Sequence, residues 1–129
     1  MYLDTDILLS VIKEEDWLKD YIDISKISKK KTSTLTIIEA RIVLEREYSR
    51  EKAVNALLKI KNTGLEILPI DKKVIEKSQE LISRYSKLTQ FDAVHAACAI
   101  VNDEILLSTD TIFKEIAEVK SINPRLTQI

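Results

Sequence analysis

The sequence predicts a three-layer α/β/α domain with a central, mainly parallel sheet. Three observations carry that expectation. Candidate short strands at residues 1–3, 32–34, 65–70, 104–110 and 119–122 are separated by stretches whose apolar residues recur at helical spacing. Strands alternating with helices imply a parallel sheet covered on both faces. The segment 88–101 is apolar on nearly every side from Phe91 onward, with Phe91, Val94, Cys98 and Val101 on one stripe and four alanines filling the others; such a helix is expected to be buried. The length, 129 residues, suits one domain spanning residues 1–129, long enough to bury about two-thirds of its unfolded surface.

Each element has a local reason. Residues 1–3 form a strand that runs into the polar trio Asp4-Thr5-Asp6, and Ile7, Leu8, Leu9, Val11 and Ile12 open a helix behind it. Trp17, Leu18, Tyr21 and Ile22 continue at helical spacing among charged residues, predicting an amphipathic second piece. Lys29-Lys30-Lys31 reads as a solvated turn or strand edge, the alternative being a phosphate-facing patch. A helix from Leu35 to about Ser49 is expected to bury Leu35, Ile38 and Ile42, with Glu39 on that inward face. Ala53, Leu57, Leu58 and Ile60 mark another helix, and the chain's single glycine, Gly64, suits the left-handed cap that ends it. Asp71 is placed to cap a helix carrying Val74, Ile75, Leu81, Ile82 and Tyr85. A short helix at 111–117 precedes the last strand, which Asn123-Pro124 stops.

Composition narrows the function. Twenty Lys and Arg against 21 Asp and Glu give a net charge of −1, which excludes a strongly basic, charge-driven nucleic-acid binder but permits a local site. One glycine in the chain leaves no glycine-rich phosphate loop. The lone Cys98 reads as a small buried hydrophobe. The first residues lack the basic-then-apolar run of a secretory signal, and no apolar segment approaches the ~18 residues of a membrane span, so the expected location is cytoplasmic.

The acids are the informative residues. In a parallel α/β sheet the ligand site lies beyond the carboxyl ends of the strands. Asp4 ends the first strand, Asp110 ends the strand after the buried helix, Asp92 lies in that helix's first turn, and Glu39 lies on an inward helical face. Four carboxylates meeting at one edge would repel unless a hard divalent cation compensates them, and oxygen donors suit magnesium or manganese. With one histidine and one cysteine, a zinc site is nearly excluded. Each acid also has a structural reading. Thr36-Ile-Ile-Glu39 and Thr89-Gln-Phe-Asp92 can be capping boxes, and Asp6 and Asp110 can be helix N-caps. His95 is read as a satisfied core histidine, and Trp17 as core or interface rather than a base-stacking platform.

Four phrases carry a family resemblance: Leu3-Asp-Thr-Asp-Ile-Leu8, Thr36-Ile-Ile-Glu-Ala-Arg41, Phe91-Asp-Ala-Val-His-Ala-Ala97 and Leu107-Ser-Thr-Asp-Thr-Ile-Phe113. In order and approximate spacing they resemble the successive acidic motifs of the PIN-domain nucleases, most closely the small VapC-like toxins of toxin–antitoxin pairs. The likeness covers nearly the whole chain, and the Asp-Ala-x-His-Ala phrase is its most specific part. It implies that Asp4, Glu39, Asp92 and Asp110 bind Mg2+ or Mn2+ and serve hydrolysis of RNA phosphodiester bonds. Asp4 and Asp92 are the first choice for direct ligands, and His95 is a supporting or packing residue. Thr5 and Thr109 could orient carboxylates or waters, and Lys13, Arg41 and Lys114 are candidates for contacts to the RNA backbone. Asp6 departs from the family, which more often has Asn or Ser there, and either joins the site or caps the first helix. The resemblance also implies a homodimer and an antitoxin protein partner, for which Ile12, Trp17, Leu18 and Tyr21 could supply apolar contacts. The alternatives are a PIN nuclease of RNA processing without an antitoxin, a non-catalytic PIN-like binding module, and a phosphatase. The last follows from Asp4-Thr5-Asp6, which also resembles the first motif of haloacid-dehalogenase-type phosphatases.

Overall fold

The computed structural model describes residues 1–13, 17–21 and 23–126. Five short strands form one sheet: β1 (Tyr2–Leu3), β2 (Lys31–Ser33), β3 (Glu66–Leu68), β4 (Leu106–Leu107) and β5 (Ser121–Ile122). They lie in the order β3-β2-β1-β4-β5, every neighbouring pair parallel. Five helices connect them: α1 (Thr5–Ile12), α2 (Thr34–Glu47), α3 (Arg50–Leu58), α4 (Lys72–Arg84) and α5 (Gln90–Val101). This is the expected three-layer α/β/α arrangement. The chain leaves central β1 toward β2 on one side and returns as β4 on the other, so a topological switch point lies between β1 and β4.

Alternation along the strands assigns the two faces. Tyr2 and Leu106 pack with Val74, Leu81, Ala93, Ala96 and Phe113 under α4 and α5. Leu3 and Leu107 point the other way, onto Ile7 of α1 with Leu18 and Ile27. A further cluster joins Leu8, Leu9 and Ile12 of α1 to Ala40 and Leu44 of α2 and Ala53 of α3. Each fully buried Leu or Ile in these clusters contributes about 2 kcal/mol of transfer free energy.

Several local expectations hold. Gly64 adopts φ +73 after a 3-10 turn at Lys59–Asn62. Asp71 caps α4 by accepting from the Val74 amide at 3.1 Å. Cys98 is buried.

Others are corrected. The amphipathic second piece is not a continuous α-helix among the described residues, but 3-10 turns at Trp17–Asp20 and Ile24–Lys26. The expected contacts of the Trp17 and Ile22 side chains lie outside the described residues. The 111–117 helix is a 3-10 turn, Thr111–Glu115. On α2 the buried residues are Thr36, Ala40 and Leu44, whereas Ile38 and Ile42 are 45% and 50% exposed. Ala40 and Leu44 pack with Leu8, Leu9 and Ile12 of α1, and Ile38 and Ile42 are left outward. Likewise α5 buries its alanines, His95 and Cys98 but leaves Phe91, at its first turn, 58% exposed. No helix among the described residues is long and apolar enough to cross a membrane.

Candidate functional site

The carboxyl edge of the sheet opens into a cleft of about 470 Å3 lined by Asp4, Thr5, Asp6, Leu9, Glu39, Phe91, Asp92, His95, Thr109 and Asp110. All four sequence-predicted acids line it, together with Asp6. Each arrives for a local reason. Asp4 follows β1 and serves as the N-cap of α1, accepting from the Thr5 amide at 2.8 Å, while its own amide donates to the Leu107 carbonyl at 3.0 Å. The β1–β4 pairing therefore fixes it at the switch point. Asp110 follows β4 and caps the 3-10 turn through the Ile112 amide at 3.0 Å. Asp92 closes a true capping box with Thr89 at the start of α5.

Glu39 is different. It is not part of a capping box, because Ser33 caps α2 by accepting from the Thr36 amide at 3.3 Å. Glu39 instead reaches His95, whose Nε2 lies 2.5 Å from Oε1. The same Nε2 is 3.6 Å from Asp4 Oδ1. The ring is 3% exposed, and its Nδ1 lies 2.7 Å from the Tyr2 hydroxyl. That hydroxyl also meets Ser33 Oγ at 2.8 Å and Thr36 Oγ1 at 3.2 Å. His95 is thus the satisfied core histidine the sequence suggested, with one nitrogen turned to the cleft.

Ser108 was not anticipated. Its hydroxyl donates to Asp4 Oδ2 at 2.6 Å and accepts from the Asp110 amide at 3.0 Å, tying two of the acids together through one side chain. The signal available was a hydroxyl residue immediately after an apolar strand that ends in an acid. Asp6 is held by Thr109, which donates to Oδ2 through both its amide, at 3.2 Å, and its hydroxyl. Asp6 therefore lies inside α1 and does not cap it; Asp4 does.

The electrostatics are those of an acid-rich cleft with one basic side chain, His95, among the described residues of its lining. Burial pushes the Asp4 carboxyl above its usual range, and Asp6 adds to the rise; His95, Ser108 and the Thr5 amide oppose it. For His95, burial disfavours the charged ring, but the Glu39 hydrogen bond and the fields of Asp4, Glu39 and Asp92 outweigh it and hold the pKa above the ordinary value. Burial drives the Tyr2 hydroxyl far upward, so it keeps its proton.

Among the described residues no three acidic, histidine or cysteine side chains are gathered into a ready-made coordination group. The carboxylates are instead engaged singly: Asp92 accepts from the Thr89 amide, Asp110 from the Ile112 amide, and Glu39 meets His95. The donor set nevertheless fits a hard cation, since carboxylates crowd one cleft with little positive charge facing them. The Thr5 hydroxyl in the same lining is buried with no hydrogen-bond partner, a further oxygen suited to a cation or its water. Of the three cations expected to contact RNA, Lys13 is paired with Glu47 at 2.7 Å and Lys114 donates to the Ser121 carbonyl at 3.0 Å, while Arg41 is exposed.

No curated protein matches the chain in sequence. Solved structures do match in fold. DNA-bound VapBC from Salmonella typhimurium has a TM-score of 0.77 at 17% identity, with 95% of this chain and 96% of that one covered. VapBC2 from Rickettsia felis, bound to a DNA fragment from its promoter, gives 0.75 at 20% identity over 95% and 96%. VapC20 from Mycobacterium tuberculosis, a sarcin–ricin loop cleaving toxin, gives 0.74 at 19% identity over 92% and 97%. At these identities the likeness is one of fold. The PIN domain model matches residues 1–119, nearly the whole chain and all four acidic phrases, so this chain belongs to the PIN domain family.

Proposed function

We propose that this protein is a divalent-metal-dependent endoribonuclease, the toxin of a toxin–antitoxin pair. The observation that carries the reading is the lining of one cleft by Asp4, Glu39, Asp92 and Asp110 at the switch point of a PIN-family sheet. Asp4 and Asp92 would hold Mg2+ or Mn2+ directly, and Glu39 and Asp110 directly or through water. A cation held there would supply activation of a water and stabilisation of charge on the leaving oxygen of the scissile phosphodiester.

The chain's own residues prepare that site. Ser108 and the Thr5 amide hold Asp4 in place against the cost of its burial. His95 holds Glu39, and because Nε2 is engaged there and Nδ1 at Tyr2, the ring is a support and not a general base. Leu9 and Phe91 give the cleft apolar walls, and the exposed Phe91 ring is available to stack on a base. A nearly neutral domain can bind an anionic chain in this way because the bound cations supply the attraction.

The partners follow from the comparisons and the surface. The Salmonella and Rickettsia structures are complexes named VapBC, which supports an antitoxin for this chain. Ile12 and Leu18, expected to supply apolar contacts to a partner, are buried in the core, and the outward stripe of Ile38 and Ile42 is what supports a homodimer contact. Function in the cytoplasm accords with these partners. The phosphatase alternative is disfavoured by Asp6, whose carboxylate is occupied by Thr109 and so is poorly placed to act as an acid or base.

The test is cleavage of structured RNAs by protein purified free of antitoxin, with magnesium, manganese or chelator. Cleavage is expected with either metal and lost with chelator or in Asp92→Asn. Cleavage that persists with chelator would sink the proposal, and absence of any divalent-cation binding by calorimetry would favour the non-catalytic module.

A further inference from the structure

We infer that Tyr2 is a positioning residue for the metal cleft: its buried hydroxyl fixes the His95 ring so that Nε2–H always faces Glu39. This deepens the metal-cleft reading and rests on it for its functional consequence, though not for its structural one.

The hydrogen-bond chain leaves little freedom. A carboxylate oxygen can only accept, so the 2.5 Å approach of Glu39 Oε1 requires the proton between them to be on Nε2. A neutral imidazole carrying that proton has a bare Nδ1, which needs a donor, whereas a charged ring has Nδ1–H and needs an acceptor. The atom facing Nδ1 at 2.7 Å is the Tyr2 hydroxyl, which can be either. With a neutral ring it donates to Nδ1, and Ser33 or Thr36 donates to the tyrosine oxygen. With a charged ring it accepts from Nδ1–H and passes its own proton to Ser33 Oγ at 2.8 Å. In both states Nε2–H stays on Glu39.

The network is also rigid. Tyr2 is fully buried at the start of the central strand, its ring meets the His95 ring edge-on at 5.8 Å between centroids, and Thr36 lies on α2 one turn before Glu39 itself. Glu39 is the one acid of the four that caps no helix, so it has no backbone anchor for its carboxylate. The Tyr2–His95 pair supplies the anchor that capping supplies to the others.

The experiment compares Tyr2→Phe with Thr36→Val. The first removes the hydroxyl on Nδ1; the second removes a hydroxyl from the same buried cluster without touching His95. Two readouts are taken: 15N chemical shifts of the His95 ring in metal-free protein, and Mn2+ affinity by calorimetry. Tyr2→Phe should move the Nδ1 and Nε2 shifts and weaken Mn2+ binding by about 5- to 10-fold, below the roughly 10- to 100-fold effect of losing a partner directly behind a ligand because His95 stands between Tyr2 and Glu39. Thr36→Val should leave the ring shifts in place and change Mn2+ binding by less than about threefold, below the Tyr2→Phe range. Unchanged ring shifts in Tyr2→Phe, or equal loss of Mn2+ affinity in both variants, would overturn the inference. If the unaltered protein binds no Mn2+, the metal-cleft reading fails, and the ring shifts decide the positioning role by themselves.

Discussion

Replacing Ser108 by alanine should weaken the cleft without disturbing the fold. The hydroxyl donates to Asp4 Oδ2 at 2.6 Å and accepts from the Asp110 amide at 3.0 Å, and the residue is almost fully buried after β4. A hydrogen bond to a charged group contributes about 1.5–3 kcal/mol, and 1.36 kcal/mol is a factor of ten. Full expression in the metal-bound state would therefore lower metal affinity by roughly 10- to 150-fold. Asp4 keeps the Thr5 amide at 2.8 Å and the His95 ring at 3.6 Å, so the lower part of that range, about 10- to 30-fold, is expected. The loss should shrink as pH rises. Removing the donor raises further a carboxyl pKa that burial already raises, and higher pH restores the ionised form that binds the cation. The assay is Mg2+ titration of kcat/KM on a short fluorogenic RNA across pH, with circular dichroism to confirm the fold. A folded Ser108→Ala protein with unchanged metal dependence would show that Ser108 does not hold Asp4 for this chemistry.

Other perturbations separate stability from function. Because the His95 pKa is raised in the folded state, its contribution to stability is fully present below its ordinary value of 6.5 and is lost as pH rises through the folded value. Metal-free protein should accordingly melt at progressively lower temperature across that window, and His95→Gln should flatten this part of the profile. Thr89→Ala removes the α5 cap bond to the Asp92 amide at 3.1 Å and should cost about 1 kcal/mol in urea unfolding; Asp92 keeps its place in the cleft, so cleavage should persist. The Cys98 thiol is buried and its pKa is pushed up to about 11 by burial, with the field of Asp71 adding to the rise. Iodoacetamide should therefore label it only as fast as the protein unfolds. Ile42→Lys, at a half-exposed position, should change thermal stability little but abolish a dimer in sedimentation if the outward face of α2 is the contact.

Much of the architecture could be read from helical periodicity and from the short segments between helices, although β2, Lys31-Thr-Ser33, has no apolar residue and is legible only by its place in that alternation of elements. The faces of α2 and α5 were less legible. Periodicity locates an apolar stripe but cannot say whether another element of the same chain covers it. Thr36, Ala40 and Leu44, spaced four apart, form the buried face of α2, while Ile38 and Ile42, also four apart, lie on another face that remains outside. The supporting residues were similarly hidden. Ser108 and Tyr2 stand beside acids in the sequence, but their partners are 104 and 93 positions away, and only the β1–β4 pairing and the seat of α5 bring them together.

The two readings offered for each acid, helix cap or cleft ligand, are not alternatives in this fold. A parallel sheet places the helix N-termini at the carboxyl edge of its strands, where unpaired amides and the helix dipole favour carboxylates. Asp4, Asp92 and Asp110 each satisfy their own first turn and still line the same cleft. Capping thus offsets part of the repulsion that would otherwise make a cluster of acids costly, and it holds each carboxylate at the cleft. Glu39 has no such support from its helix and depends on His95, which in turn depends on Tyr2. The acid with no capping role is therefore the one for which a buried histidine is required, and loss of that histidine should impair the Glu39 side of the cleft while leaving Asp4, Asp92 and Asp110 anchored.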